Sequence, residues 1–166
     1  MRRIGIVGAT LLGLLVASAT GATAQQLSAA DTEAAFAAAG FTLQGNDWRS
    51  VCGRDDPSSS YGPGLIDTAG DFNGDGRPDA VITEGGSFCY GMAGMGFSIV
   101  SQQADGSWKL MAADVGMPLF LQTMGADGWP DIAVGGPGFC FPVISWDGTA
   151  YAFDRYEYEG AVCTPN

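Results

Sequence analysis

Between Asp71 and Asp79 the chain reads Asp71-Phe72-Asn73-Gly74-Asp75-Gly76-Arg77-Pro78-Asp79. Side-chain oxygens fall at positions 1, 3, 5 and 9 of this stretch. Acceptors gathered this closely repel one another unless a cation lies among them. Gly74 and Gly76 let the backbone curl, because glycine takes positive φ at little steric cost. A hard cation such as Ca²⁺ takes about six to eight oxygen ligands. The loop offers the side chains of Asp71, Asn73, Asp75 and Asp79 and the carbonyl of Arg77, and the spacing predicts a calcium site.

The flanking residues decide what kind of loop this is. An EF-hand needs a bidentate Glu at position 12, and position 12 here is Ile82. The dockerin type wants an acid there too. Ala80-Val81-Ile82-Thr83 reads as a β-strand, where an EF-hand would begin a helix. The pattern D-x-N-x-D-G-x-x-D, followed by a strand and Gly85-Gly86, resembles the FG-GAP/VCBS-type repeat of integrin-α-like propellers and bacterial surface proteins. That resemblance implies Asp71, Asn73, Asp75, Asp79 and the Arg77 carbonyl as Ca²⁺ ligands.

The pattern recurs. Asp127-Gly128-Trp129-Pro130-Asp131 repeats the D-G-x-P-D core of the first loop, 52 residues on from Asp79 to Asp131, and Gly135-Gly136 and Phe139-Cys140 follow as Gly85-Gly86 and Phe88-Cys89 do. Each copy continues into a hairpin. Asp105-Gly106 separates 97–101 from 107–111, and Asp147-Gly148 separates 142–146 from 151–153. The second loop has lost half its acids: Thr123 stands where Asp71 does and Gly125 where Asn73 does. It reads as a retained turn with negligible calcium affinity. The tail 156–160 alternates aromatic and acid, as an edge strand does.

Upstream, Ser28 is a good helix N-cap, with Asp31 three residues on, Ala29 to Ala39 favours helix, and Gly40 stands where a C′ glycine is expected. Phe36 and Phe41 are the residues to anchor that helix. Residues 41–51 read as a short hairpin about Gly45-Asn46-Asp47, and 53–64 as a polar surface loop. Glycine-rich 85–96 lacks the lysine of a phosphate loop. Its Met92 and Met95 offer either loop packing or soft-metal ligation. The fold expected is mainly β: a small propeller-like antiparallel β domain of about two repeats, near 65–111 and 119–153, with one N-terminal helix. Closure of a ring needs at least four blades and is not expected.

Arg2 and Arg3, an apolar run to Ala19 and Ala22-Thr23-Ala24 read as a signal peptide over 1–24. A membrane anchor would need about 20 apolar residues, and this run is short and interrupted. Residues 25–166 then form one domain. It keeps 18 acids against five bases, net −13, which disfavours nucleic acid and suits cations or basic partners. Cys52, Cys89, Cys140 and Cys163 all lie in it. An even count in an exported chain implies disulfides. Of three possible connectivities, Cys52–Cys89 with Cys140–Cys163 joins near neighbours and is favoured. Zinc would need a C-x-x-C pair or His, and the chain has neither.

With no His and no G-x-S-x-G elbow, most nucleophilic and general-base chemistry is excluded. Two acids alone can serve a glycosidase, and Asp55-Asp56 and Glu157/Glu159 are such pairs, but 18 acids produce close pairs by chance. The function expected is that of a non-enzymatic, periplasmic or secreted, calcium-binding module acting in binding or in the envelope. Its partner would be an unidentified protein or glycan, with no nucleic acid and no membrane span once the signal is removed. The alternatives are a secreted inhibitor or sensor of a basic periplasmic protein and, last, a carboxylate-based hydrolase.

Overall fold

The computed structural model describes residues 26–165. The signal-peptide reading of 1–24 lies outside the described residues. Helix α1, Ala29–Ala38, begins as expected: the Ser28 hydroxyl accepts from the Asp31 N–H at 3.1 Å and donates to the Asp31 carboxylate at 2.7 Å. It ends in a Schellman turn. Gly40, at φ 81°, donates to the Ala37 carbonyl and Phe41 to that of Phe36. The accompanying apolar contact is Phe36 against Phe41, edge to face at 5.6 Å.

Eleven strands follow. The chain first lays down β1 (Thr42–Gln44), β2 (Asp47–Arg49), β3 (Gly62–Gly70) and β4 (Asp79–Gly85). Helix α2 (Ser87–Tyr90) precedes β5 (Met95–Gln102) and β6 (Trp108–Val115). Then come β7 (Met117–Met124), β8 (Pro130–Gly135), β9 (Phe141–Trp146), β10 (Tyr151–Tyr158) and β11 (Ala161–Val162). They form two antiparallel sheets, β1-β2-β3-β4-β5-β6 and β11-β10-β9-β8-β7. Each repeat is thus one four-stranded meander, β3–β6 and β7–β10. Both carry a bulge at the same place, with Met111 extra in β6 and Asp154 extra in β10.

The sheets stack in one sense, as consecutive blades do. Val81, Phe97 and Ile99 of the first sheet meet Trp129, Ile132, Val134 and Trp146 of the second. Val81 lies two residues after Asp79, but Ile132 lies one after Asp131, and strand faces alternate with period two. Equivalent positions of the two repeats therefore face opposite surfaces. The other face of the first sheet, with Ala80, Ile82 and Val100, is covered by α1 through Ala35, Phe36 and Phe41. Trp48 of β2 stacks flat on Phe36 at 4.5 Å. Strands β4 and β5 are thus buried on both faces. The result is the expected small propeller-like β domain with an N-terminal helix.

Several boundaries differ from the sequence reading. Strand β3 begins at Gly62, inside the stretch expected to be loop. A short helix, α2, interrupts the glycine-rich segment. Strand β7 had no sequence counterpart over 112–122. Residues 156–158 belong to β10, which is not an edge, because the last turn folds β11 back onto it. The favoured cysteine pairing is the one formed: Cys52–Cys89 and Cys140–Cys163, with Cα atoms 5.9 and 5.8 Å apart. Closing loops of this length contributes about 3–4 kcal/mol each in the chain-entropy account.

Candidate metal centre

The Asp71–Asp79 loop joins β3 to β4 at the margin of the inter-sheet core. Asp71 shapes it: one carboxylate oxygen accepts the N–H groups of Gly74 and Asp75 at 2.8 and 3.0 Å, and the other accepts that of Gly76 at 2.8 Å. Gly74 and Gly76 take φ of 77° and 83°. The Asn73 amide donates to Asp75 at 2.9 Å, and Asp75 accepts from the Arg77 N–H at 2.9 Å. The Arg77 guanidinium is split between Asp75 and, at 2.9 Å, the Gln102 carbonyl. Asp71, Asn73, Asp75, Arg77 and Asp79 therefore share one curled loop. Among the described residues, no three Asp, Glu, Cys or His side chains form a ready cage.

Asp79 is the least satisfied member. It is fully buried. One carboxylate oxygen accepts the Phe72 N–H at 2.7 Å, while Oδ1 has no hydrogen-bond partner. Burial raises its pKa to about 6, and the charges of Asp75 and Asp71 add to the rise. The neighbouring Ser101 and the Phe72 N–H offset this only in part. Holding it ionised at neutral pH thus costs on the order of 3 kcal/mol. A buried, half-orphaned carboxylate beside two others is the arrangement a cation relieves. The loop's donors, all hard oxygens, fit Ca²⁺.

In the second loop a cation of the chain itself meets the same problem, although Asp131 Oδ1, like Asp79 Oδ1, has no hydrogen-bond partner. Asp131, also buried, accepts from Thr123 at 2.6 Å and from Arg155 Nη1 at 3.0 Å. Burial alone would raise its pKa, but Ser145, Thr123 and Arg155 outweigh burial and lower it. Arg155 also bonds Asp154 and Glu157, which hold its own pKa up. By the shared bulge, Arg155 stands where Ala112 stands in the first repeat. One repeat carries its cation on β10; the other has three carboxylates and no such arginine.

The second repeat also holds the first loop in place. Phe72 packs on Phe120 of β7 with ring centroids 5.0 Å apart. Gly128 lies so close to the loop that a Cβ there would come within 2.6 Å of the Asn73 carbonyl. Asn73, Asp75, Arg77, Lys109, Asp127 and Trp146 border a polar cleft of about 430 Å³ between the two loops. The Trp146 indole donates to Asp127 at 3.3 Å, and the Lys109 ammonium lies 5.5 Å from the Trp146 ring centroid.

A second carboxylate site went unseen in the sequence. Glu84, buried at the end of β4, accepts from the Ser50 N–H at 3.0 Å, the Ser50 hydroxyl, and the hydroxyls of Tyr61 and Tyr90. Burial, then the bonds to Glu84, push both phenols' pKa upward. Arg49 lies over the Tyr61 ring. Both Glu84 oxygens are satisfied, so this clasp ties the 50–61 segment down, beside Cys52–Cys89, and leaves nothing free for a ligand. In each acid pair weighed for hydrolysis, one member is engaged elsewhere. Asp56 turns in on Ser58, whereas Asp55 is exposed, and Glu157 binds Arg155.

Compared with known proteins, the chain matches no family model, no curated protein and no solved structure. No helix among the described residues is long and apolar enough to cross a membrane. The two disulfides fit an oxidising compartment.

Proposed function

We propose that this chain is a calcium-stabilised FG-GAP/VCBS-like module, exported to the periplasm or beyond, which acts by binding or as an envelope component and not as an enzyme. The observation that carries this is Asp79: fully buried, one oxygen without a partner, and beside Asp71 and Asp75 in a loop of hard oxygen donors. Asp71, Asn73, Asp75, Asp79 and the Arg77 carbonyl would hold the ion. Ca²⁺ supplies charge that lets the carboxylates stay ionised together. The chain's part is to fix the loop, through the Asp71 hydrogen bonds, Phe72 on Phe120 and the turn at Gly128. A locked loop would in turn set one wall of the cleft shared with Asp127, Lys109 and Trp146, which is the place for a protein or glycan partner.

The test is calorimetric titration of Ca²⁺ into the chelator-treated protein, with Tm followed in parallel. One site is expected. At a hundred times Kd the ion adds about 2.7 kcal/mol, several degrees for a domain of this size. Asp71→Ala with Asp75→Ala should abolish that rise. A rise that survives in the double variant would move the site elsewhere, and no heat with no shift would reduce the loop to a turn.

A further inference from the structure

We propose that Met92, Met95 and Met117 form a soft-metal site that takes Cu(I), or the like-charged Ag(I), through three thioether sulfurs. All three residues line one cavity of about 390 Å³, where the turn that leads into β5 meets the start of β7 and the end of β8. The rest of the lining is apolar or glycine, with Leu119, Pro137 and Phe141 as the large residues, and no charged side chain takes part.

The backbone brings the three together from two parts of the chain. Met92 sits in the 3-10 turn Gly91–Ala93, which closes on Gly94 at φ 71°. Met95 follows as the first residue of β5. Met117 opens β7, and its neighbour Gly116 donates to the Met95 carbonyl at 2.9 Å. The Gly94 carbonyl accepts from Gly86 at 2.9 Å, which holds the turn against the end of β4. The fold therefore joins the Met92-x-x-Met95 pair to a third methionine 22 residues further on.

Packing does not take up two of the three side chains, and Met95 between them is half-buried. Met92 is 91% exposed and Met117 52%, whereas Met111, a true packing methionine, lies against the inter-sheet core. Thioethers select soft, singly charged d¹⁰ ions and are poor ligands for Ca²⁺ or Zn²⁺. They are also the only soft donors available. The chain has no His, and all four cysteines are in disulfides. The strongly acidic surface raises the local concentration of any cation. The site is independent of the calcium reading, for it lies at the first residue of β5, whereas the Asp71–Asp79 loop reaches the last, Gln102, about 20 Å away along the strand.

The test uses the purified exported chain with ¹³C-labelled methionine methyls, titrated with silver nitrate in chloride-free buffer. Native mass spectrometry should give one Ag(I) per chain. The Met92, Met95 and Met117 methyl resonances should shift together while Met111 and Met124 stay put. Cu(I), kept reduced with ascorbate, should compete for the same three. Met92→Leu with Met117→Leu keeps the apolar volume and should leave less than one Ag(I) per chain where the unsubstituted chain is saturated, with the calcium-dependent rise in Tm unchanged. Equal shifts at all five methionines, no shift at all, or full binding by the leucine variant would overturn the proposal. Retention by leucine would instead mark the cavity as an apolar docking surface.

Discussion

Asp79 and Asp131 hold the same place in two copies of one motif, yet their acidities move in opposite directions. Ser145, Thr123 and the Arg155 guanidinium stabilise the Asp131 carboxylate, whereas Asp79 is buried near two further acids. This separates two substitutions. Asp79 has a folded pKa raised above its unfolded value, so it subtracts stability at neutral pH, and that loss is recovered as pH falls through about 6 toward 4. Calcium-free protein should therefore gain Tm between pH 7 and pH 5 from this group. Asp79→Asn should raise Tm in chelator at pH 7 and lose the calcium increment. Asp131 has a lowered pKa, so its contribution is present at neutral pH and lost only as pH falls below the ordinary carboxylate range. Arg155→Leu should cost about 2–3 kcal/mol at pH 7 by leaving that buried charge without its partner, whether or not calcium is added. Thermal melts of both variants across pH, with and without Ca²⁺, check these signs together. If Asp79→Asn loses stability in chelator, the carboxylate is already compensated by groups other than an ion.

At the scale of elements, the second loop acts as a support for the first. Gly128, at φ 77°, meets the Asn73 carbonyl where no side chain fits. Gly128→Ala should lower stability by about 1–2 kcal/mol and also weaken calcium binding by titration, although residue 128 offers no ligand. Unchanged affinity would mean the two loops are energetically separate. The elements best read from sequence were those fixed by local chemistry: the Ser28 cap, the Gly40 stop, the Asp105-Gly106 hairpin and the strand after Asp79. Strand β7 escaped because Met117-Pro118-Leu119-Phe120 lacks β-branched residues and contains a proline. That proline is tolerable because β7 is an edge. The Glu84 clasp escaped for another reason. Its donors come from three separate segments, and no spacing along the chain brings Ser50, Tyr61 and Tyr90 together. Arg155 was equally hidden, since its reach to Asp131 depends on the bulge at Asp154.

For the whole molecule, the repeat was legible but its consequence was not. A 52-residue period forecast two alike units. It did not say that they stack in one sense, with α1 covering the outer face of the first. The two sheets share the core around Val81, Ile99, Trp129 and Ile132, and their covalent joint is a single residue. Gly116 alone separates β6 from β7, at φ 135°, and a Cβ there would lie 2.3 Å from the Gly135 carbonyl. So short a link holds each sheet at very high effective concentration beside its own partner. It also makes Gly116 the covalent joint about which the stack would exchange between molecules. Gly116→Val should strain the joint open and let the second sheet of one copy close on the first sheet of another, rebuilding the same core in a domain-swapped dimer. Size-exclusion chromatography would reveal that dimer growing with concentration, while a variant that stays monomeric would show that the joint bends without opening. On this reading, closure of the stack within one chain rests on a residue with no side chain at all.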